Sequence, residues 1–476
     1  MRFFRGCLTG LCLVAITLTS QGQEKEKKDT LRLSVAEAQK YALTYNRSVQ
    51  ASKMDIEIAK QKVWETTASG LPQFTATADY QHIFNVPEFS LPTVGFTESK
   101  INGVDNVPGF TQVQPFKDKY GSNVWEYVYN SPGAALSPKD NVTFNFTLSQ
   151  LVFSGEYIVG LQASRVYKEL SDKSYVKSEN SAKESVASSY YVVQMLTENI
   201  NVLKENLKVI DKTYQDVLGM SQQGFTETTE PDQMKINKAT VQTMITSLEG
   251  QRTVALKLLK VQMGVDFSQE VALTEGLNSI LEKGNFQYLN SSNFNVENSV
   301  DYEMMKTQES LMNLSLKREK SKFLPTISAF YRHQQLLKEP ILNFQPKDIL
   351  GVSLNLPIFT SGQRLSVVKQ AKLTLDKTRL NKEDVKQNLT LEYEKAKIDY
   401  QTAFSNFSTN KESKELSYKI YNNNIIKYKE GVITSMELTQ SQNQYLTAQS
   451  NYFNAALNLL NAQAKIERIV SKYEKP

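Results

Sequence analysis

"FTLSQLVFSGEY" at 146–157 and "VSLNLPIFTSGQR" at 352–364 decide how this chain is built. Each is a stretch of alternating residues that runs into a glycine, and each glycine opens a long polar segment of helical composition. Working outward, "TASGLPQFTATADYQH" at 67–82 is matched by "EKSKFLPTISAFYRH" at 319–333. Both are helix-like, stop at Leu71-Pro72 or Leu324-Pro325, and then alternate, with Tyr80 and His82 echoed by Tyr331 and His333. Further on, Tyr214 precedes Gly224 by ten residues and Tyr421 precedes Gly431 by ten; the offset between halves is 207 for these and 206 for Phe153 and Phe359. Landmarks that stay in step indicate a tandem duplication. The first repeat spans 23–290 and the second 291–476.

Four stretches alternate with period two, the signature of strands with one apolar face. Val142, Phe144, Phe146 and Leu148 interleave with Asn141, Thr143, Asn145 and Thr147, and Leu350, Val352, Leu354 and Leu356 with Gly351, Ser353 and Asn355. Phe74, Ala76, Ala78 and Tyr80 interleave with Thr75, Thr77 and Asp79, while 326–333 alternates less cleanly. At roughly eight to ten residues these strands approach the ~9 to 11 that cross a bilayer when tilted. Period two also fits a soluble half-buried sheet. Four strands cannot close a membrane barrel, and open edges in hydrocarbon leave backbone groups unpaired. A membrane-spanning reading therefore requires several copies.

The helices are too long for a globule. From Gly155 to Met220 there is no proline, which permits about 65 residues of near-continuous helix, ~100 Å at ~1.5 Å per residue. Its second part keeps heptads, with Val193, Ile200, Leu207 and Tyr214 on one seam position and Leu196, Leu203, Ile210 and Val217 on the other. In the second half, Tyr393, Tyr400, Phe407, Tyr421 and Tyr428 keep the spacing over 363–429, with Lys414 interrupting. The return helices carry Met234, Val241, Leu248 and Ala255, and Leu438, Tyr445, Tyr452, Leu459 and Ile466. Each half is thus an outgoing helix, a tight tip (near 219–231 and 430–436) and a return helix. A shorter helix opens each half: Ser34 with Glu37 forms a capping box in "LSVAEAQKYALTYN", and Val300 to Phe323 is its counterpart. Residues 265–295 read as a connector.

Composition sets the compartment. Arg2 and Arg5, the apolar run Leu8 to Leu18 and the small residues Ser20 and Gly22 read as a cleaved signal peptide over 1–22. Both cysteines of the chain, Cys7 and Cys12, fall inside it, so a mature chain holds no thiol chemistry. Leu11, where a small residue is needed, argues against lipidation at Cys12. Without the signal, 53 basic residues face 50 acidic ones, which is no nucleic-acid signature. No later run is apolar enough for a transmembrane helix. With two histidines in the whole chain, few metal or nucleophile constellations are possible, and neither a cofactor nor an enzymatic site is expected.

The capped opening helix, the Leu-Pro exits into strands, the entries at Phe153–Gly155 and Phe359–Gly362, and "YKEGVITSMELTQSQNQYLTAQSNYFNAALNLLNAQAKIE" at 428–467 together resemble the outer-membrane efflux protein family, the TolC-like channels. "LKLLKVQMGVDF" at 256–267 resembles the end of that family's first repeat. The resemblance implies an α+β membrane protein. It would be a homotrimer whose four strands per subunit form one outer-membrane β-barrel, continued by a long periplasmic helical coiled-coil barrel. It also implies a conduit in a tripartite efflux or type I secretion system, with outer-membrane lipid, a periplasmic adaptor and an inner-membrane pump as partners. A periplasm-spanning coiled-coil scaffold without transport is the alternative, and strands with an apolar face weigh against it.

In the family, acidic residues near the tip narrow the pore entrance. Glu437, six residues after Gly431, matches one such position, Gln440 replaces the acid three residues later, and Asp232, eight residues after Gly224, is the nearest first-half counterpart of Glu437 in an alignment loosened by two extra residues. An acid in a first helical turn also simply complements the helix dipole. Gly224 and Gly431 suit tight turns, and with Phe225, Val432 and Thr434 they make up the expected adaptor-docking tips. The lipid-facing residues expected are Phe74, Tyr80, Val142, Phe144, Phe146, Leu148, Leu350, Val352, Leu354 and Leu356. The loop at 83–140 is far longer than its counterpart at 334–348. Residues 83–139 hold six prolines, five glycines and nine aromatics, and should form an extracellular structure that constricts or caps the mouth.

Overall fold

Proline fixes φ and lacks an N–H, so a helix that reaches Leu-Pro must end there. In the computed structural model the two Leu-Pro pairs do this. Helix α2 (Arg47–Ala68) stops before Pro72 and hands over to β2 (Gln73–His82), and α6 (Val300–Ser321) stops before Pro325 and hands over to β11 (Thr326–Leu336). The structure describes residues 30–471 and 473, except 87, 90–91, 98–109, 113–115, 118–122, 131–133, 136, 285–293, 340–342 and 344. The signal peptide expected at 1–22, with Cys7 and Cys12, lies outside the described residues.

The chain forms two compact units that interleave in sequence: 1–54, 174–302 and 386–476 in one, 55–173 and 303–385 in the other. The division thus cuts across the two repeats read from the sequence. Two long helices, α3 (Gly155–Gln222) and α7 (Gln363–Lys429), contribute residues to both.

The unit 55–173/303–385 carries the four strands read from the sequence. They form one antiparallel sheet, with β9 (Asp140–Ser154) and β12 (Asp348–Asn355) completing the order β12-β11-β9-β2. Register aligns the alternation across all four strands: Phe74 lies opposite Leu148, Leu148 opposite Tyr331, and Tyr331 opposite Leu350. One face is therefore mainly Phe, Tyr, Leu, Val and Ala, interrupted on β11 by His333 and Gln335 opposite Phe146 and Phe144; the other is mainly Thr, Ser, Asn and Gln, with Asp79 and Arg332 and with Phe330, whose ring lies over Gly351, where an added Cβ would come within 2.6 Å. Each hairpin is closed at its loop end by the same device. His82 and Tyr80 bond Asp140 at 2.8 and 2.9 Å, and His333 and Tyr331 bond Asp348, each at 2.7 Å.

The long insertion in the first hairpin has structure of its own. Its described residues include β3 (Glu88–Phe89), β4 (Pro92–Thr97), β5 (Phe110–Gln112), β6 (Phe116–Lys117), β7 (Asn123–Asn130) and β8 (Ala134–Ala135). Strand β7 is the hub, pairing antiparallel with β4, β5 and β6, while β3 pairs with β8.

The unit 1–54/174–302/386–476 is a helical bundle. Its return helices are α4 (Thr229–Met263) and α8 (Ser435–Val470). Heptad spacing places one residue per two turns on the same stripe, so the positions read from the sequence are where burial falls: Ile200, Ile210, Val217, Met234, Val241, Tyr400, Leu459 and Ile466 are almost fully covered. The capping box forms as read, Ser34 accepting from Glu37 N–H and Glu37 from Ser34 N–H. The single opening helix of the first half is instead two, α1 (Val35–Tyr45) and α2, broken at Asn46. Its amide donates to Gln262 O, while its Oδ1 caps α2 by accepting from Ser48 and Val49 N–H at 2.8 and 3.1 Å.

The stretch read as a connector is also more ordered than expected in its described part. β10 (Val271–Leu273) pairs parallel with β1 (Leu31–Leu33), and α5 (Leu277–Lys283) follows. Tyr190, fully buried, ties this corner by donating to Leu33 O and accepting from Glu275 N–H, both at 3.1 Å.

Candidate functional site: the helical tips and the exposed sheet face

Both tips end their outgoing helix in the same way. At the first, Gly224 has φ +80, its N–H donates to Ser221 O at 3.0 Å, and Phe225 N–H donates to Met220 O at 2.9 Å. At the second, Gly431 has φ +70, donates to Tyr428 O at 3.0 Å, and Val432 donates to Lys427 O at 2.9 Å. This is the Schellman pattern, in which a left-handed residue lets the chain satisfy the last helix carbonyls. The residue after that glycine usually folds its apolar side chain back onto the helix. Here Phe225 is 75% exposed and Val432 67% exposed.

The tips are bonded side by side. Tyr428 OH donates to Glu230 at 3.2 Å, Ser435 donates to Gln233 at 3.4 Å, and Met234 packs with Tyr428 and Leu438. Burial, and then the Glu230 carboxylate, push the Tyr428 hydroxyl well above the usual phenol range, so it stays a donor.

The return helices begin differently. Thr434 caps α8 in a full capping box, accepting from Glu437 N–H and donating its own N–H to Glu437 Oε2 at 2.9 Å. Glu437 is thus held at the helix start yet exposed, with Gln440 one turn on and also exposed. Asp232 occupies the first turn of α4, exposed, beneath Thr228, which makes no side-chain cap bond. The loose alignment of Asp232 with Glu437 has this physical content: one acid is fixed by a cap and the other is not.

One heptad further into the bundle lies a polar layer that the sequence reading did not single out. Asn237 donates to Gln442 at 2.7 Å, Gln442 donates to Asn206 at 3.2 Å, and Tyr421 OH donates to the same Asn206 oxygen at 3.2 Å. All four side chains are buried, they come from α3, α4, α7 and α8, and the Asn206 amide nitrogen has no partner. The available signal was Tyr421 in its aromatic stripe, since a buried tyrosine hydroxyl needs a polar neighbour.

On the sheet, Phe74, Tyr80, Leu350, Val352 and Leu354 are between 64% and 81% exposed; Phe144, Phe146, Leu148 and Leu356 are less so, and Val142 is half-buried. A face of this kind needs something apolar to cover it. Among the described residues, both edge strands, β2 and β12, have one unpaired side.

This combination, a four-stranded sheet with open edges and hairpins built from helices of 35 to 68 residues, is shared with solved outer-membrane channels. The Campylobacter jejuni CmeC outer membrane channel superposes with a TM-score of 0.67 at 17% identity, covering 92% of this chain and 85% of that one. The open-state Neisseria gonorrhoeae MtrE outer membrane channel gives 0.67 at 15% identity, with 92% and 88% covered. The outer membrane protein VceC of Vibrio cholerae gives 0.66 at 12%, with 92% and 96% covered. Residues 319–471 match the model of the outer membrane efflux protein family, so the chain carries that family's domain. No curated protein matches the sequence closely enough to register.

Proposed function

We propose that this chain is a subunit of a homotrimeric outer-membrane efflux channel, which receives its cargo from a periplasmic adaptor and an inner-membrane pump and does no chemistry on it. The observation that carries the reading is the sheet: four strands whose pairing gathers the apolar residues of β2, β9 and β12 on one face and mostly polar residues on the other, with two open edges. Backbone groups cannot be left unpaired in hydrocarbon, so β12 of one copy must meet β2 of the next, and three copies give a closed barrel. The family domain at 319–471 supports the same reading.

The strand-to-helix junctions support copy-on-copy closure independently. Gly155 is packed against Leu324 and Ser321, so that an added Cβ would lie 2.7 Å from the leucine. Its counterpart Gly362, at φ +81, has nothing within 4 Å. Leu71, 44% exposed at the equivalent Leu-Pro exit, is the residue that the next copy would bring to it.

The tips then carry the periplasmic end. The bare Phe225 and Val432, presented by the rigid turns at Gly224 and Gly431 and flanked by Thr434, are the adaptor-docking surface, and Glu437, with Asp232 and Gln440, lines the entrance. The insertion at 83–140 lies outside the cell and constricts the mouth. Single-channel conductance of the purified protein in a planar bilayer, wild type beside Glu437→Gln, tests the reading. Discrete cation-selective channels whose selectivity weakens in the variant support duct and gate together. Channels indifferent to the substitution discard Glu437 as a gate. A folded oligomer without channels leaves the coiled-coil scaffold in place of the duct.

A further inference from the structure

The end of α6 and the start of α7 carry an excess of positive charge that the first repeat does not. Between 310–325 and 360–375 there are seven Lys and Arg residues and a single acid, Glu319. Arg318 and Lys322 are neutralised by Glu319 and by Glu156 of α3. Lys317, Lys320, Lys369 and Lys372 are exposed and, among the described residues, have no carboxylate within ion-pair distance. At the first-repeat exit, by contrast, Lys60 and Lys62 are paired with Glu57 and Glu65.

These four lysines fall within the last two turns of α6 and the first three of α7. Arg364 bonds Lys322 O and covers the Phe323 ring, while Arg379 and Lys382 both bond Glu309, so α6 and α7 run antiparallel side by side. That pairing sets Lys317 and Lys320 across from the turns that bear Lys369 and Lys372. Capping explains part of the pattern, since cations at the C-terminal end of α6 complement its dipole. It cannot explain Lys369 and Lys372, which sit in the second and third turns of a helix whose first turn holds no acid. There the dipole offers a cation nothing, and like charges at neighbouring positions repel.

We propose that this cluster binds the phosphate head groups of anionic phospholipid in the periplasm-facing leaflet, an inference that rests on the membrane reading of the sheet. Lys369 lies about 9 Å and Lys372 about 14 Å along α7 from its start beneath β12. A head-group layer is ~5–8 Å deep. Helical side chains lean toward the helix N-terminus, here toward the strands, and a lysine stem can extend its ammonium further along an apolar surface. Leu365 and Leu373, 67% and 60% exposed on the same face as Lys369, supply that surface. A carboxylate of a neighbouring copy is the rival occupant. Glu57 and Glu65 of the exposed first-repeat helix are its natural candidates, and both are already engaged by lysines of their own helix.

The test is native mass spectrometry of the detergent-purified full chain titrated with phosphatidylglycerol and, separately, with phosphatidylcholine. The comparison is between wild type, the set Lys317→Gln, Lys320→Gln, Lys369→Gln and Lys372→Gln, and the same four positions changed to Arg. A juxtamembrane lysine strengthens anionic-lipid binding on the order of fivefold. Wild type should therefore prefer phosphatidylglycerol by more than tenfold, lose that preference in the Gln set and keep it in the Arg set. If the Gln set does not fold, loss of the preference in wild type at high salt reads the same interaction. Equal uptake of both lipids by wild type overturns the proposal and leaves the membrane reading standing. Displacement of the lipid by millimolar inorganic phosphate overturns lipid as the ligand. Carbodiimide cross-links from these lysines to acids of another copy assign the cluster to the subunit interface instead. A chain that stays in solution without detergent and takes up neither lipid fails the membrane reading itself.

Discussion

Replacing Gln442 by Ala tests whether the buried polar layer near the tips holds the two hairpins together. The substitution removes the acceptor of Asn237 Nδ2, which stays buried, and the donor to Asn206 Oδ1, which keeps Tyr421. An orphaned buried donor costs about 1–3 kcal/mol, and the space left by the truncated side chain adds about 1 kcal/mol. The expected loss is therefore about 2–4 kcal/mol of local stability, which corresponds to a fall in amide protection of roughly 30-fold to several-hundred-fold. Hydrogen exchange of the purified protein, read over 200–217, 229–245 and 435–449, measures it. Asn237→Ala on the Gln442→Ala background removes the orphan, so the double variant should recover about 1–2 kcal/mol relative to the sum of the singles. A protection loss below fivefold, or strict additivity, would refute the reasoning, because it would mean that the layer is hydrated rather than packed.

Gly264 has φ +76 and an added Cβ would sit 2.0 Å from Tyr45 O, whereas Gly431, at φ +70, has open space. Gly264→Ala should therefore lower thermal stability of the bundle far more than Gly431→Ala, which bears only the left-handed backbone strain of about 1–3 kcal/mol; equal melting temperatures would contradict this. Glu275 is held below the usual carboxylate range, first by the Lys283 ammonium and then by Val35 N–H. A depressed carboxylate stabilises the fold fully above its ordinary pKa and loses that contribution as pH falls through the lowered value. Wild type should therefore outlast Glu275→Gln in thermal melts at pH 7 and converge with it in acid, and a gap that persists below pH 3 would count against the contact. Phe153 lies opposite Ile327, so the equivalent Phe359 should lie opposite Phe74 of the next copy; cysteines at Phe74 and Phe359 should oxidise into a covalent trimer on denaturing gels, with monomer as the outcome that rules out the proposed closure.

Much of this architecture was legible because its signals are periodic. Period-two runs at 141–149 and 350–356 and heptads such as Leu438, Tyr445, Tyr452, Leu459 and Ile466 depend only on spacing, and spacing survives without knowledge of partners. The tips were legible through Gly224 and Gly431, since only a left-handed residue closes a helix in that way. What escaped was whatever depends on two distant segments meeting. Asn46 breaks a helix because Gln262 accepts its amide, and β1 exists because β10 lies beside it. The loop-end clasp was half visible: Tyr80, His82, Tyr331 and His333 stood out as equivalent, while their partners Asp140 and Asp348 follow Lys139 and Lys347 in matching Lys-Asp pairs that passed as ordinary polar residues.

The strand order β12-β11-β9-β2 also governs when this chain can finish folding. Strand β9 can pair with β2 as soon as both have emerged, but its other edge waits for β11, whose first partner, Thr326, lies opposite Ser154. More than a third of the chain separates them in sequence, so this pairing closes a long loop and is slow for that reason. Until it forms, Phe144, Phe146 and Leu148 lie on an open strand edge, the condition under which sheets join the wrong chain. A nascent chain cut short before residue 326 is therefore left with a hairpin whose apolar edge has no partner strand, the arrangement that favours aggregation.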